Sequence, residues 1–353
     1  MRSSENELHE LFACNLETIQ ASTFLEPMSK DQKAMFTQNI SIVLKHLSHT
    51  DESKVTLTFR GDNRGHLTSK LSSKTTPLSE EKLISLLFYF GDKSKHYYKF
   101  EDIKARNLRW LQRIEDFREK TYSVIFEKTR QVLKSKKEVV RFFCDQNKEF
   151  AEFFLNDNKS VFVSSLIRET NFARDYYLYF LHTAGKIGAG DKSVLVSTSL
   201  SRDVAVKFSG DSGERYVIYY IIPEPFENFG ISYTRVQCYE PWLTEHLLPI
   251  YKGKALYPEQ HEVAVKGALF SSFILGVRVL GQNKFIVNPH LFQAPNTIGS
   301  ILSGLLIDQT DFENRLIRTG YWRGVGTYLD GAYETIHRTM RNAVEHDKSA
   351  SKD

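Results

Sequence analysis

The stretch that most constrains this chain is VLVSTSLSRDVAVKF, residues 194–208. Its apolar start, Val194 to Ser197, has the length and composition of a strand, and it delivers three small hydroxyl residues, Ser197, Thr198 and Ser199, at the strand end. Ser201 then stands at a helix N-cap position, ahead of a helix that carries Ala205 and Phe208 on one face. About sixty residues later comes YPEQHEVAV, residues 257–265, with Gln260 and Glu262 two apart. In a strand that spacing turns both side chains to one side of the sheet. A third piece, YYLYFLHTAG at 176–185, reads as an aromatic strand that ends at His182. Three strand ends thus offer complementary polar groups to one cleft.

The rest of the chain divides by texture. From Ser29 to Leu47 the residues Phe36, Ile40, Val43, Leu44 and Leu47 have helical spacing. Val55 to Arg60 alternates like a strand before a turn at Gly61, Asp62 and Asn63, and His66 to Pro77 reads as a loop. Ser79 opens a helix through Leu83, Leu86, Leu87 and Phe90 that Gly91 stops. Between Phe100 and Phe154 a densely charged segment keeps apolar marks at Leu108, Leu111, Ile114, Phe117, Ile125 and Val132, the pattern of amphipathic helices. Residues 1–155 therefore read as a mostly helical N-terminal domain.

After Ser160 the runs become short and β-rich. They fall at Val161–Leu166, Tyr176–His182, Val194–Ser197, Tyr216–Ile222, Glu262–Phe270 and Ile274–Leu280, as expected for two packed antiparallel sheets with a cleft between them. This places a second domain at 156–290. A third section, 291–353, carries Leu302, Leu305, Leu306, Leu316 and Ile317 at helical spacing, a Gly-rich turn from Gly320 to Gly331, and a tail from Asp347 with the composition of disorder. The fold class is α+β.

Composition narrows the function classes. Residues Met1 to Asn15 are polar and acidic, and no apolar run is long enough to span a bilayer, so the expectation is a cytoplasmic protein without a membrane partner. Cys14, Cys144 and Cys238 are widely spaced and accompanied by no Cys/His motif, which points to neither a disulfide framework nor a metal site. A net charge of +4 leaves polyanions open as partners. Arg106, Arg109, Arg113, Arg118 and Lys120 form either an RNA-binding stripe or, alternating as they do with Glu115, Asp116 and Glu119, a solvated helix face.

Taken in order, His182, then Ser197-Thr198-Ser199 with the Ala205/Phe208 helix, then Gln260-x-Glu262 resemble the ADP-ribosyltransferase family, toxin-like enzymes that cleave NAD and pass its ADP-ribose to a target. The likeness covers about a quarter of the chain. It implies a split β-sandwich for 156–290 as the catalytic domain, with the helical N-terminal domain and a helical C-terminal extension around it. It also implies NAD as the substrate cofactor, with Glu262, Gln260 and Ser197 as catalytic residues and His182, Thr183, Thr198 and Ser199 as cofactor-binding residues.

By this resemblance Glu262 bonds the nicotinamide ribose, Ser197 orients Glu262, and Gln260 helps choose an acceptor other than arginine. The first position of the pattern is taken either by His182 or by Arg174. The loop 209–215 either closes over the pyrophosphate through Arg215 or is a plain surface turn, and Tyr251 and Tyr257 stack on a target if exposed or belong to the core if buried. The implied activity is mono-ADP-ribosyl transfer to RNA or protein by an intracellular toxin or phage-defence effector, with an antitoxin or other inhibitory partner. The alternatives are an NAD glycohydrolase and a non-enzymatic module that binds RNA or a partner.

Overall fold

The computed structural model describes residues 4–19, 25–47, 55–71, 76–92, 126–156, 159, 172–185, 195–222, 226, 230–252, 258–266, 269 and 273–288. Its centre is one nine-stranded sheet in the order β2-β1-β9-β8-β5-β3-β4-β7-β6. The strands are β1 (Asn15–Ile19), β2 (Leu25–Pro27), β3 (Thr56–Asn63), β4 (Leu195–Ser199), β5 (Arg215–Ile222), β6 (Gly230–Ser232), β7 (Glu262–Lys266), β8 (Ile274–Val279) and β9 (Lys284–Val287). All neighbours are antiparallel except β1 and β9. β5 is buried from Tyr216 to Ile222, consistent with its unbroken apolar run and its place well inside the sheet.

The helices form where the sequence supplies both a stop and a face. Helix α1 is Ser4–His9 and helix α2 is Lys30–Leu47. α2 starts on a capping box, in which the Ser29 N–H donates to Gln32 Oε1 and the Gln32 N–H to Ser29 Oγ, and it buries Phe36, Ile40 and Val43. Helix α3 is Arg64–Leu71, in the segment read as a loop, because Asn63 Oδ1 accepts the His66 N–H and Leu67 and Leu71 find core to bury against. Helix α4 (Glu80–Phe90) runs from its Ser79 cap to Gly91 at φ +90°, as expected. Helices α5 (Glu138–Gln146) and α6 (Lys148–Leu155) follow.

Helix α7, Phe172–Gly185, corrects the strand expected at Tyr176–His182. The aromatic run has high strand propensity, but Ala173, Tyr176, Tyr177, Phe180 and Ala184 recur at helical spacing and are all buried. Their partners are Phe150 and Phe154 of α6 and Tyr251: Phe150 and Phe180 rings lie 4.9 Å apart, Phe154 and Tyr177 5.1 Å, Phe180 and Tyr251 5.2 Å. Packing therefore crosses residue 155, and so does pairing, since β1–β3 belong to the same sheet as β4–β9. Three further short helices are α8 (Arg202–Phe208), α9 (Tyr233–Cys238) and α10 (Glu240–Glu245). Among the described residues no helix is long and apolar enough to cross a membrane.

The two separate sheets expected from strand spacing are one ladder with a constriction. β3 pairs with β5 along its whole length, from Thr56↔Ile222 to Asn63↔Arg215, but meets β4 at the single pair Phe59↔Ser199. Past that point β3 and β4 diverge, and Gly61 to Asn63 continue β3 where a turn was expected. The strand expected at Val161–Leu166, the apolar marks from Leu108 to Ile125, Tyr257 and the whole of 291–353 lie outside the described residues.

Helix α8 seats on β3 at Gly61. A Cβ there would stand 1.6 Å from the Ala205 carbonyl oxygen and 2.9 Å from the Ser209 nitrogen, so only glycine admits the helix backbone. Gly61→Ala is expected to lower the unfolding free energy by about 3 kcal/mol or more. Gly65→Ala is the control, because its Cβ would meet nothing closer than Asn63 Oδ1 at 3.5 Å. It should raise stability by about 0.5–1 kcal/mol. Urea unfolding of the two variants checks both, and a fully stable Gly61→Ala protein would mean that α8 does not press on β3.

Candidate functional site

Where β3 and β4 part, a cleft of 290 Å³ opens, lined by residues of β3, α3, β4, α8 and the start of β7. Its wall on the β3 side is Arg60, expected from the sequence only as the last residue of an ordinary strand. The Arg60 guanidinium donates through Nη1 to the Ser197 carbonyl at 2.7 Å and through Nε to Asp92 Oδ2 at 2.5 Å. It thus supplies a cross-strand hydrogen bond at the place where the backbone ladder fails. The signal for it was the Arg-Gly pair, a bulky cation next to the one residue on which α8 can sit.

Asp92 is fully buried just after α4, where its backbone exchanges two hydrogen bonds with Leu269. A carboxylate so placed must be paired, and Arg60 is its closest cation, with Lys70 Nζ 3.5 Å from its other oxygen. Lys70 also pairs with Asp62, and Arg60 Nη2 lies 3.8 Å from the same carboxylate. Burial works against the Arg60 charge, but Asp92, Asp62 and Glu262 outweigh it and hold the guanidinium above its ordinary pKa. Its charge is therefore permanent across the working pH range, and its ion pairs do not weaken as the pH rises through neutrality.

On the opposite wall, Ser197 and Glu262 belong to neighbouring strands in the register Ser197↔Ala264 and Ser199↔Glu262. In an antiparallel pair this puts Ser197, Ser199 and Glu262 on one face, with Ser197 diagonal to the carboxylate. His182 Nε2 lies 3.0 Å from Ser197 Oγ and 3.0 Å from Glu262 Oε1. It reaches both from α7, not from a strand end, and it does not line the cleft. A nucleophile relay would need the serine on one ring nitrogen and the carboxylate on the other. With both on Nε2, this trio is not a hydrolytic triad.

Gln260 and Glu262 both line the cleft, though not through strand alternation. Gln260 ends a 3-10 turn, Pro258–Gln260, and Glu262 begins β7, with His261 between them at φ +45°. A non-glycine residue in the left-handed region is the kind of strain found beside functional groups. Ser199 Oγ donates to the Gln260 carbonyl at 2.6 Å and accepts the Ser201 N–H, so it splices the turn before β7 to the start of α8. Thr198 Oγ1 donates to the Val263 carbonyl at 2.7 Å, a bond within the sheet.

The remaining expected contacts fall elsewhere. Thr183 is buried and donates its hydroxyl to carbonyls of its own helix, Tyr179 and Phe180, because a helical threonine bonds back one turn. Arg174 is buried near the start of α7 and paired with Asp175 at 3.1 Å. Arg215 donates to the Gly210 carbonyl and so closes its own loop, whose Gly210 and Gly213 have positive φ. Tyr251 is core, 6% exposed. Ala205 and Phe208 both line the cleft, but Ala205 is buried and Phe208 is 59% exposed. Among the described residues no cluster of His, Cys, Asp or Glu is arranged to hold a metal ion.

In comparisons with protein-family models, curated proteins and solved structures, nothing matches this chain. Removing the Arg60 side chain leaves the buried Asp92 carboxylate without its closest partner, so Arg60→Ala should cost about 3–5 kcal/mol. The double variant Arg60→Ala/Asp92→Ala should cost less than the sum of the single variants by about 1–3 kcal/mol. Denaturant unfolding of the three proteins measures that coupling, and strict additivity would show that the pair is not a unit.

Proposed function

We propose that this chain is an ADP-ribosyltransferase: it cleaves NAD at the bond to nicotinamide and passes ADP-ribose to a macromolecular acceptor. The observation that carries the reading is the meeting of Arg60, Ser197 and Glu262 from three strands at the cleft where β3 and β4 part. On this reading the constricted sheet is the family's split β-sandwich. The first polar position of the pattern belongs to Arg60 on β3, ahead of both His182 and Arg174.

The chemistry of the cleft fits the nicotinamide end of the dinucleotide. Around it two cations, Arg60 and Lys70, stand among three carboxylates, Asp62, Asp92 and Glu262, so the local balance is negative. This favours a pyridinium and the positive charge that grows on the ribose ring as nicotinamide departs. Glu262, 9% exposed, supplies the carboxylate where that charge develops. Arg60 holds β4 by the Ser197 carbonyl, which fixes the Ser197 hydroxyl beside Glu262. The volume of the cleft suits one half of a dinucleotide, since whole small-molecule sites begin near about 300 Å³. The exposed Phe208 ring at the cleft offers a flat apolar surface to a planar group.

The acceptor is RNA or protein, reached from the side of Gln260. Action inside the cell as a toxin or phage-defence effector, restrained by an antitoxin, belongs to the same proposal and rests on the sequence resemblance. Purified protein incubated with labelled NAD and separate pools of cellular RNA and protein tests it. Label should enter one pool, and Glu262→Gln should lower the rate by about 10²–10³-fold without unfolding the protein. Free ADP-ribose as the sole product would identify hydrolysis instead, and no Glu262-dependent turnover would remove the enzyme reading.

A further inference from the structure

The cleft accounts for Ser197 and Glu262 but not for the imidazole behind them. His182 is 7% exposed, near the C-terminal end of a buried helix, and its Nε2 is equidistant from a hydroxyl and a carboxylate that belong to two different strands. A buried polar ring is costly unless it is paired, so its presence among Tyr176, Tyr177, Tyr179 and Phe180 calls for a partner worth that cost. Tyr179, one turn earlier, has its pKa raised first by burial and then by the charge of Glu262, so this helix lies within the field of the carboxylate.

The charge state of Glu262 decides where the proton at this contact sits. An ionised carboxylate only accepts hydrogen bonds, and a bare imidazole nitrogen also only accepts. At 3.0 Å the two lone pairs would repel, so an ionised Glu262 requires a hydrogen on His182 Nε2. Such an N–H has two acceptors within hydrogen-bond distance, Glu262 Oε1 and Ser197 Oγ, each 3.0 Å from Nε2. The Ser197 hydroxyl, relieved of donating to the ring, keeps its own proton for another acceptor on the cleft side.

We propose that His182 is a positioning residue that, through one Nε2–H shared by Glu262 and Ser197, holds the carboxylate in place and turns the serine hydroxyl proton toward the ligand. It touches no substrate and acts through the two residues that do. The role rests on the transferase reading for its catalytic consequence, but the hydrogen-bond geometry stands apart from it. A buried imidazole thus ties the hydroxyl of β4 to the carboxylate of β7 from a helix outside the sheet.

The test uses the full chain and two readouts. In [15N]histidine-labelled protein, His182 Nε2 should be protonated and its N–H resonance should move in Glu262→Gln and Ser197→Ala. An unprotonated Nε2, or a resonance indifferent to both changes, overturns the proposal whatever the activity. In NAD turnover, His182→Gln keeps an N–H near the Nε2 position and should retain about a tenth or more of wild-type kcat, whereas His182→Leu should lose about 100-fold, with KM for NAD within about threefold in both. Equal losses in the two folded variants, or a rise in KM with kcat unchanged, also overturn it. If wild-type protein shows no Glu262-dependent turnover, the transferase reading fails and the resonance experiment decides His182 alone.

Discussion

The structure depends on one guanidinium placed where a sheet runs out of backbone hydrogen bonds. β3 follows β5 for eight residues but meets β4 at one pair, so β4, held along its other edge by β7, has almost no backbone hold on β3. Arg60 replaces the missing rungs with a side-chain bond to the Ser197 carbonyl. Asp92 fixes the other edge of the same guanidinium, and its full burial makes the pair difficult to break. The gap that remains between the two strands is the cleft. One interaction therefore both opens the site and holds its walls at a set distance.

Helix α8 depends on the same neighbourhood. It sits on Gly61, the residue after Arg60, and its first turn is anchored from the far side by Arg202, which bonds Glu10 at 2.6 Å and Glu7 at 2.9 Å. Those two acids come from α1 and the turn after it, so the N-terminal segment clasps the helix that lines the cleft. Burial opposes the Arg202 charge, yet the two glutamates hold its pKa above the ordinary value. The residues before 155 and those after it thus build one site together, through a shared sheet, an aromatic core between α6 and α7, and this ion-paired clasp.

How much of this was legible varies element by element. Ser197, Ser199, Gln260 and Glu262 were found from short motifs, because small hydroxyls closing an apolar strand and an amide two residues from a carboxylate have a local signature that needs no partner to be read. His182 was found as a polar residue of the site, but in the wrong element. The six aromatic and apolar residues from Tyr176 to Leu181 satisfy strand propensity and a buried helix alike, and only the packing of α6 and Tyr251 selects the helix. Arg60 was missed as a site residue because its role is to reach Ser197, 137 positions away. Asp92 was missed for the same reason, since nothing local distinguishes an aspartate whose partners lie on other elements.

The sequence by itself determined the capped helices α2 and α4, the apolar strands β4, β5 and β8, the α+β class, and the small set of hydroxyl, amide and carboxylate residues that face the cleft. These follow from caps, periodicity and side-chain chemistry, which act over a few residues. Tertiary structure alone decided that β3 borders the site, that the sheet is continuous but pinched at Phe59↔Ser199, and that one histidine nitrogen serves two strands. Each of those rests on distances between residues far apart in the chain, and they are set by close packing and by the need to pair every buried charge.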